Sequence, residues 1–353
     1  MKKQCNLLLL LLLIPLSSFS TATDYTFVKQ KNIQKAYFVN PDAGLTIDNS
    51  YGTILVSTWD EDKIEFNIQI KVSGDKENWV NQRIDDITVD INALKGWVSA
   101  KTIIENSNTK NNGKNNSFEI NYSVKIPKNG SVKLLNKYGN ISTSDLFGST
   151  DITCKYGKIT LGKLYNSRNA IQMEYCSASS IAYMKYGNVL SRYSGLTIDE
   201  VDKLDLVSDY TDVVIANSGD VKIISKYGAI KLATVNSLDA TGNYLSIKIG
   251  TVMNQLKLVT RYSDVAIGAI QSRANDVTIV SGYSGLNIGF QSNYAFDFDV
   301  SVRYADFKYD SDLEISSKAE TNNSKKYNGF YKKKGVNKMT IVSDYGNVVL
   351  RKN

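Results

Sequence analysis

Asn136-Lys137-Tyr138-Gly139-Asn140-Ile141-Ser142-Thr143 is followed eighteen residues later by Cys154-Lys155-Tyr156-Gly157-Lys158-Ile159-Thr160-Leu161. The pattern continues through Tyr175, Tyr193, Tyr210, Tyr227, Tyr244, Tyr262, Tyr283 and Tyr304, at intervals of 17 to 21 residues. Tyr51 opens an isolated early copy and Tyr345 closes the series after a gap of 41. Other columns keep step. Four residues before the Tyr stand Leu134, Ile152, Ile171, Val189, Leu206 and Ile223. Two before it the residue is small, as in Cys154, Ser191, Ser208 and Ser225. Three after it stand Ile141, Ile159, Ala178, Leu196 and Val213, and five after it Thr143, Leu161, Ser180, Ile198 and Ile215. A third apolar column, eight after, holds Leu146, Leu164, Val201, Val235, Val252 and Ile270.

Positions −4, −2 and 0 have period two and share one face of a strand. Positions +3 and +5 also share a face, but the step from 0 to +3 is odd, so the chain turns between them. Tyr-Gly-Asn at 138–140, Tyr-Thr-Asp at 210–212 and Tyr-Ser-Asp at 262–264 fill that step with turn formers. A second bend before +8 completes a roughly three-sided coil. One coil cannot bury its own apolar face, whereas stacked coils turn each column into an inward ladder. The expected fold is therefore all-β: a single-chain parallel β-helix, or β-solenoid, with coils of 17–21 residues. Eleven coils at the strand spacing make a rod on the order of 50 Å long. The leucine-rich pattern is missing, and a propeller repeats at about twice this length. Pro occurs only at positions 15, 41 and 127, so nothing later interrupts a hydrogen-bonded ladder.

The flanks divide the chain. Met1-Lys2-Lys3, an apolar run from Leu7 to Leu16 and the small residues after it predict a signal peptide over 1–22. Its two lysines gone, 40 basic and 35 acidic residues remain, a balance of +5. That is mild and does not demand nucleic acid. No second apolar stretch reaches membrane length, so the mature chain is expected without an integral span, exported to the periplasm, the cell surface or the medium. Residues 23–130 are less regular. Ile64–Val72, Ile84–Ile91 and Phe118–Ile126 predict strands, and the polar run 106–117 predicts a mobile loop. This irregular β-rich segment is expected to cap a solenoid spanning 131–353. The stretch from about 314 to 338 breaks the columns and predicts an inserted basic loop.

Strands ending in Ile126-Pro127-Lys128-Asn129-Gly130, followed by repeats of the Tyr-Gly-Asn-Ile-Ser-Thr type, resemble the bacterial "putative adhesin" β-solenoid family, a domain of unknown function. The resemblance covers roughly residues 40–350. It implies adhesion and transfers no catalytic residue.

The chain contains no His, which excludes Ser-His-Asp and Cys-His nucleophiles and the usual His-containing zinc sites. No cofactor is expected. Cys154 and Cys176 fall on adjacent coils, offset by three positions, which predicts two free thiols because a disulfide needs Cα atoms within about 7 Å. The parity of the Tyr with the −4 column predicts a corner residue packed against its neighbours in the stack, its hydroxyl near the turn or solvent; the alternative is an exposed aromatic strip that stacks on sugar rings. The residue before the Tyr is often basic and points outward. Arg192, Lys226, Arg261 and Arg303, with Lys332, Lys333 and Lys334 of the inserted loop, form the candidate interaction surface. Asp209 between Arg192 and Lys226 makes the strip partly self-neutralised. The acidic pairs Asp60/Asp62, Asp297/Asp299 and Asp310/Asp312 are the candidates for chemistry. Two functions stand: a non-catalytic envelope or surface scaffold binding a glycan or protein surface, or a carbohydrate-active β-helix lyase or hydrolase acting on an acidic polysaccharide.

Overall fold

The computed structural model describes residues 25–105 and 115–353. The expected signal peptide and most of the expected 106–117 loop lie outside the described residues. The described residues are nearly all β, with one nine-residue helix, Glu77–Asp85, and a large mixed sheet. Among the described residues no helix is long and apolar enough to cross a membrane.

From residue 132 to about 290 successive strands pair in parallel, each displaced by one repeat. Leu134 lies beside Ile152, Ile152 beside Ile171, Ile171 beside Val189, and the line continues through Leu206 and Ile223. All six are buried. The columns after the Tyr run Ile141, Ile159 at +3 and Leu161, Ile181, Ile198, Ile215 along the +5 line. Fully burying an Ile or Leu side chain stabilises by roughly 1.5–3 kcal/mol, so these ladders hold the repeats together along their whole length.

Three features of the repeats differ from expectation. In the repeat after Tyr175 the inward residues are Ser179 and Ile181, not Ala178 and Ser180. Ala178 takes φ 52° and absorbs one extra residue at the turn. The late copy does not stack in chain order. Lys338–Asp344 pairs on one side with Asp276–Gly282 and on the other with Phe296–Arg303, so the last strands lie between two earlier repeats. Val348 likewise sits between Leu286 and Phe307. The expected inserted loop is instead a β-hairpin over most of its length. Glu314–Glu320 pairs antiparallel with Ser324–Tyr331, which in turn covers the outer edge of Phe296–Arg303. Buried Tyr327 and Tyr331 anchor it, Tyr331 donating to the Ser292 carbonyl at 2.9 Å.

At the other end, Ile64–Val72 and Phe118–Ile126 lie within two long strands, Lys63–Gly74 and Ser117–Pro127, that pair antiparallel. The predicted strand Ile84–Ile91 begins only at Ile87, because Ile84 belongs to the helix. There Trp79, Val80 and Ile84 form one buried face. Trp97–Ile104 and Ser117–Pro127 pair in parallel with Gly44–Ser50 and Ile54–Trp59, covering the ladder edge of the Tyr51 repeat.

Candidate binding face

The repeated tyrosines form one continuous stack. It runs from Tyr51 through Tyr138 and onward to Tyr283, then Tyr345, and ends at Tyr304. Successive ring centroids are 4.5–5.1 Å apart and the planes lie within 2–13° of parallel. The rings are 39–52% exposed. The neighbours pack on one another as the corner reading predicts, but the side chains point out, and the parity argument fails at this position. Every one of these tyrosines has φ between 48° and 62°. That left-handed conformation reverses the side-chain direction after the −2 residue, so −4 and −2 stay inside while the Tyr leaves the core.

A bulky residue in this region is an outlier and persists only where its surroundings over-determine it. Here the following residue does so. Thr211 donates its hydroxyl to the Asp209 carbonyl at 2.9 Å and accepts from the Ser194 N–H at 3.3 Å. Ser263 donates to the Arg261 carbonyl at 2.9 Å and accepts from the Leu245 N–H at 3.0 Å. Ser284 repeats the arrangement with Gly282 and Ser263. Each inward hydroxyl thus satisfies two corner backbone groups. Where the residue is Gly the backbones touch instead: a Cβ on Gly346 would lie 2.0 Å from the Ser284 carbonyl oxygen.

This geometry sets an order of tolerance at Tyr193, which stacks on both Tyr175 and Tyr210. Tyr193→Gly loses two ring contacts, worth about 0.5–1.5 kcal/mol each at most, but relieves the left-handed strain. Tyr193→Val loses the same contacts and adds a β-branched side chain where L residues are strained, so it should be at least about 1 kcal/mol less stable than Gly. Urea unfolding that ranks Val at or above Gly would contradict the corner conformation.

Within the ladder each ring face is covered by its neighbours. What the ladder offers to solvent is a row of ring edges and phenol hydroxyls, and sugar stacking on ring faces is unavailable along its length. Loss of water and the neighbouring rings hold the phenols of Tyr175 and Tyr210 above their usual pKa.

Beside the ladder runs the −1 column, outward as expected. Its order in the stack is Lys137, Lys155, Glu174, Arg192, Asp209 and Lys226, paired in direct register. Asn243, Arg261, Gly282, Asp344 and Arg303 follow. Lys155 bonds Glu174 at 2.6 Å, and this hydrogen bond raises the Lys155 pKa. Arg192 lies 3.9 Å from Asp209, and Arg303 grips Asp344 through two nitrogens at 3.1 and 2.6 Å. Lys137, Lys226 and Arg261 form no ion pair among the described residues. The strip is therefore self-neutralised at Arg192 and Arg303 and open at Lys226 and Arg261.

Lys332, Lys333 and Lys334 are exposed on the turn after the hairpin, with Lys334 over Phe330 and Lys332 over Tyr331. They do not join the column. The turn lies at the Phe296 end of the strand whose far end carries Arg303, about 20 Å away for eight residues.

A third outward column sits at −3. Val207, Ile224, Val259, Val280 and Val342 are 36–46% exposed, and Leu190 is half-buried beside them. Sequence reasoning passed over it, although its odd offset from the inward −4 column announced an exposed apolar line.

The acidic pairs do not converge. Asp297 accepts from the Gly335 N–H at 3.0 Å, Asp299 pairs with Lys326 at 3.6 Å, and Asp310 and Asp312 both hold Lys352. Asp60 and Asp62 lie in the bend after Ile54–Trp59, not on a strand. Among the described residues no group of three or more His, Cys, Asp or Glu side chains gathers as a metal site. Cys154 and Cys176 are free and buried, as expected, but the geometric reason differs. They touch: the Cys176 thiol donates to the Cys154 carbonyl at 3.3 Å. The adjacent Cys176 thiol, then burial, pushes the Cys154 thiol up.

No protein-family model matches this chain, and no curated protein does. Among solved structures it is similar to a "putative adhesin" from Bacteroides fragilis, at 10% identity over 92% of this chain and 97% of that chain, with a TM-score of 0.30. It is also similar to a "putative cell adhesion protein" from Clostridium sporogenes, at 11% identity over 92% of this chain and 100% of that chain, TM-score 0.17. A "putative lipid binding protein" from Parabacteroides distasonis matches at 9% identity over 92% of this chain and 97% of that chain, TM-score 0.27.

Proposed function

We propose that the chain is an exported parallel β-solenoid that binds an anionic envelope or extracellular surface without turnover. In this reading residues 1–22 are removed on export, 23–130 form the cap, and 131–353 form the solenoid. Support for the solenoid comes from parallel registers repeating every 17–21 residues through the −4 and +5 ladders. The observation that carries the binding reading is the outward face itself. One Tyr edge and one −1 position per repeat recur at a nearly constant step, and among the described residues Lys226 and Arg261 form no ion pair. A rigid array adds weak contacts without the ordering entropy of a flexible chain.

Arg192, Lys226, Arg261 and Arg303 are the residues assigned to this contact. Replacing all four with Gln should weaken retention on an acidic polysaccharide about tenfold or more and leave thermal melting nearly unchanged, because exposed charges contribute little to folding. Raising salt from 0.05 to about 0.5 M should weaken the unmutated protein similarly, as screening shortens with ionic strength. The same incubation followed for new reducing ends separates binding from cleavage. Oligosaccharide release lost in an Asp297→Asn/Asp299→Asn variant would replace this reading with the carbohydrate-active enzyme.

A further inference from the structure

From Lys155 to Gly282 the −1 column alternates. Lys155, Arg192, Lys226 and Arg261 occupy every second level of the stack, and Glu174, Asp209, Asn243 and Gly282 occupy the levels between. Alternation of opposite charges by itself serves to avoid like charges side by side on neighbouring strands. That purpose is met from Lys155 to Lys226. It does not account for Asn243 and Gly282, which keep the spacing of the cations but supply no partner charge.

Two levels advance about 10 Å at the strand spacing. One disaccharide of an extended linear polysaccharide advances by nearly the same amount. We infer that the face takes a linear acidic polysaccharide laid along the stack, with its carboxylate on every second sugar. The inference rests on the proposed function and specifies its ligand.

Three further features fit such a chain. Gly282 has no side chain, and beside it a depression of about 290 Å³ opens next to Arg261, with Val259, Val280, Tyr283 and the Arg303–Asp344 ion pair on its walls. A neutral sugar fits at that level, one step beyond Arg261. The apolar −3 column lies along one side and meets C–H faces, while the Tyr hydroxyls on the other side exchange hydrogen bonds with sugar hydroxyls. Glu174 and Asp209 accept hydrogen bonds from a neutral sugar but repel a carboxylate. A polymer charged on every sugar therefore meets like charge at alternate levels, and a neutral polymer leaves Lys226 and Arg261 unmatched.

The test compares three oligosaccharides of equal length by calorimetry on the purified chain at about 0.1 M salt. They are hyaluronan, charged on alternate sugars, oligogalacturonate, charged on every sugar, and a neutral cello-oligosaccharide. Hyaluronan should bind about tenfold more tightly than either of the others. In a Glu174→Lys/Asp209→Lys variant, checked for unchanged melting, the preference should shift toward oligogalacturonate. Equal affinity for the two acidic oligosaccharides, or a variant with unchanged preference, would overturn the periodicity and leave the proposed polyanion binding intact. If neither acidic oligosaccharide binds while the protein is still retained on another acidic polysaccharide, only the ligand class falls. If none is retained, the proposed function falls with it.

Discussion

Ile215→Asp should leave no soluble folded protein at ordinary expression temperature. Ile215 is fully buried, sits beside Ile198 in direct register, and shares its interior with buried Val213, Ile230 and Leu232. A carboxylate there has neither water nor a cation, and it stays buried only at a cost that exceeds most single substitutions, above about 4 kcal/mol. Both neighbouring repeats lose packing, because each ladder residue supports the level above and below. Ile215→Val is the control, expected to cost about 0.5–1.5 kcal/mol. A soluble Asp variant that melts like the unmutated protein would mean that the +5 column does not face the core.

Truncation after Asn337 should have the second large effect. It removes Lys338–Asp344 and Val348–Lys352, which pair with earlier strands on both sides. Phe296–Arg303 then loses its only parallel partner, and Phe307–Tyr309 loses the strand it pairs with. Two buried ladders are opened one level from the end of the stack, at Ile341 between Ile279 and Val300 and at Val348 between Leu286 and Phe307. Hydrogen exchange should show protection lost over 276–331 and retained over 150–250, since stability in a stacked repeat depends on nearest neighbours. Full protection at 296–309 after truncation would contradict the strand order.

How much of this was legible follows from what each signal encodes. The inward columns were readable because alternation is a property of extended chain, and Ile152, Ile198 and Ile223 obey it. The direction of Tyr193 and its counterparts was not, because parity assumes every residue is extended, and one left-handed residue reverses it. Gly, Asn and Asp announce such a corner, and Tyr does not. The extra residue at Ala178 was hidden for a related reason: counting from the Tyr assumes a turn of constant length. Periodicity also says which segments are alike without saying in what order they stack. The gap of 41 between Tyr304 and Tyr345 is compatible with a terminal last repeat or an interleaved one. The hairpin Glu314–Tyr331 explains the gap, because it crosses the end of the stack before the chain returns. The basic column was legible in position, but its division into paired and open cations depends on the reach of Arg192, Arg303 and their carboxylate neighbours. The apolar −3 column was present in the sequence and needed only to be counted from the outside.

A continuous outward face exists only if the levels are ordered Tyr283, Tyr345, Tyr304. Paired cysteines at these positions test that order most directly. Adjacent levels bring Cα atoms to about 5 Å, within disulfide reach, whereas two levels apart the separation is about 10 Å and exceeds it. Under mild oxidation, Tyr283→Cys/Tyr345→Cys and Tyr304→Cys/Tyr345→Cys should each cross-link, and Tyr283→Cys/Tyr304→Cys should not. Cross-linking of the 283/304 pair in preference to 283/345 would contradict the account.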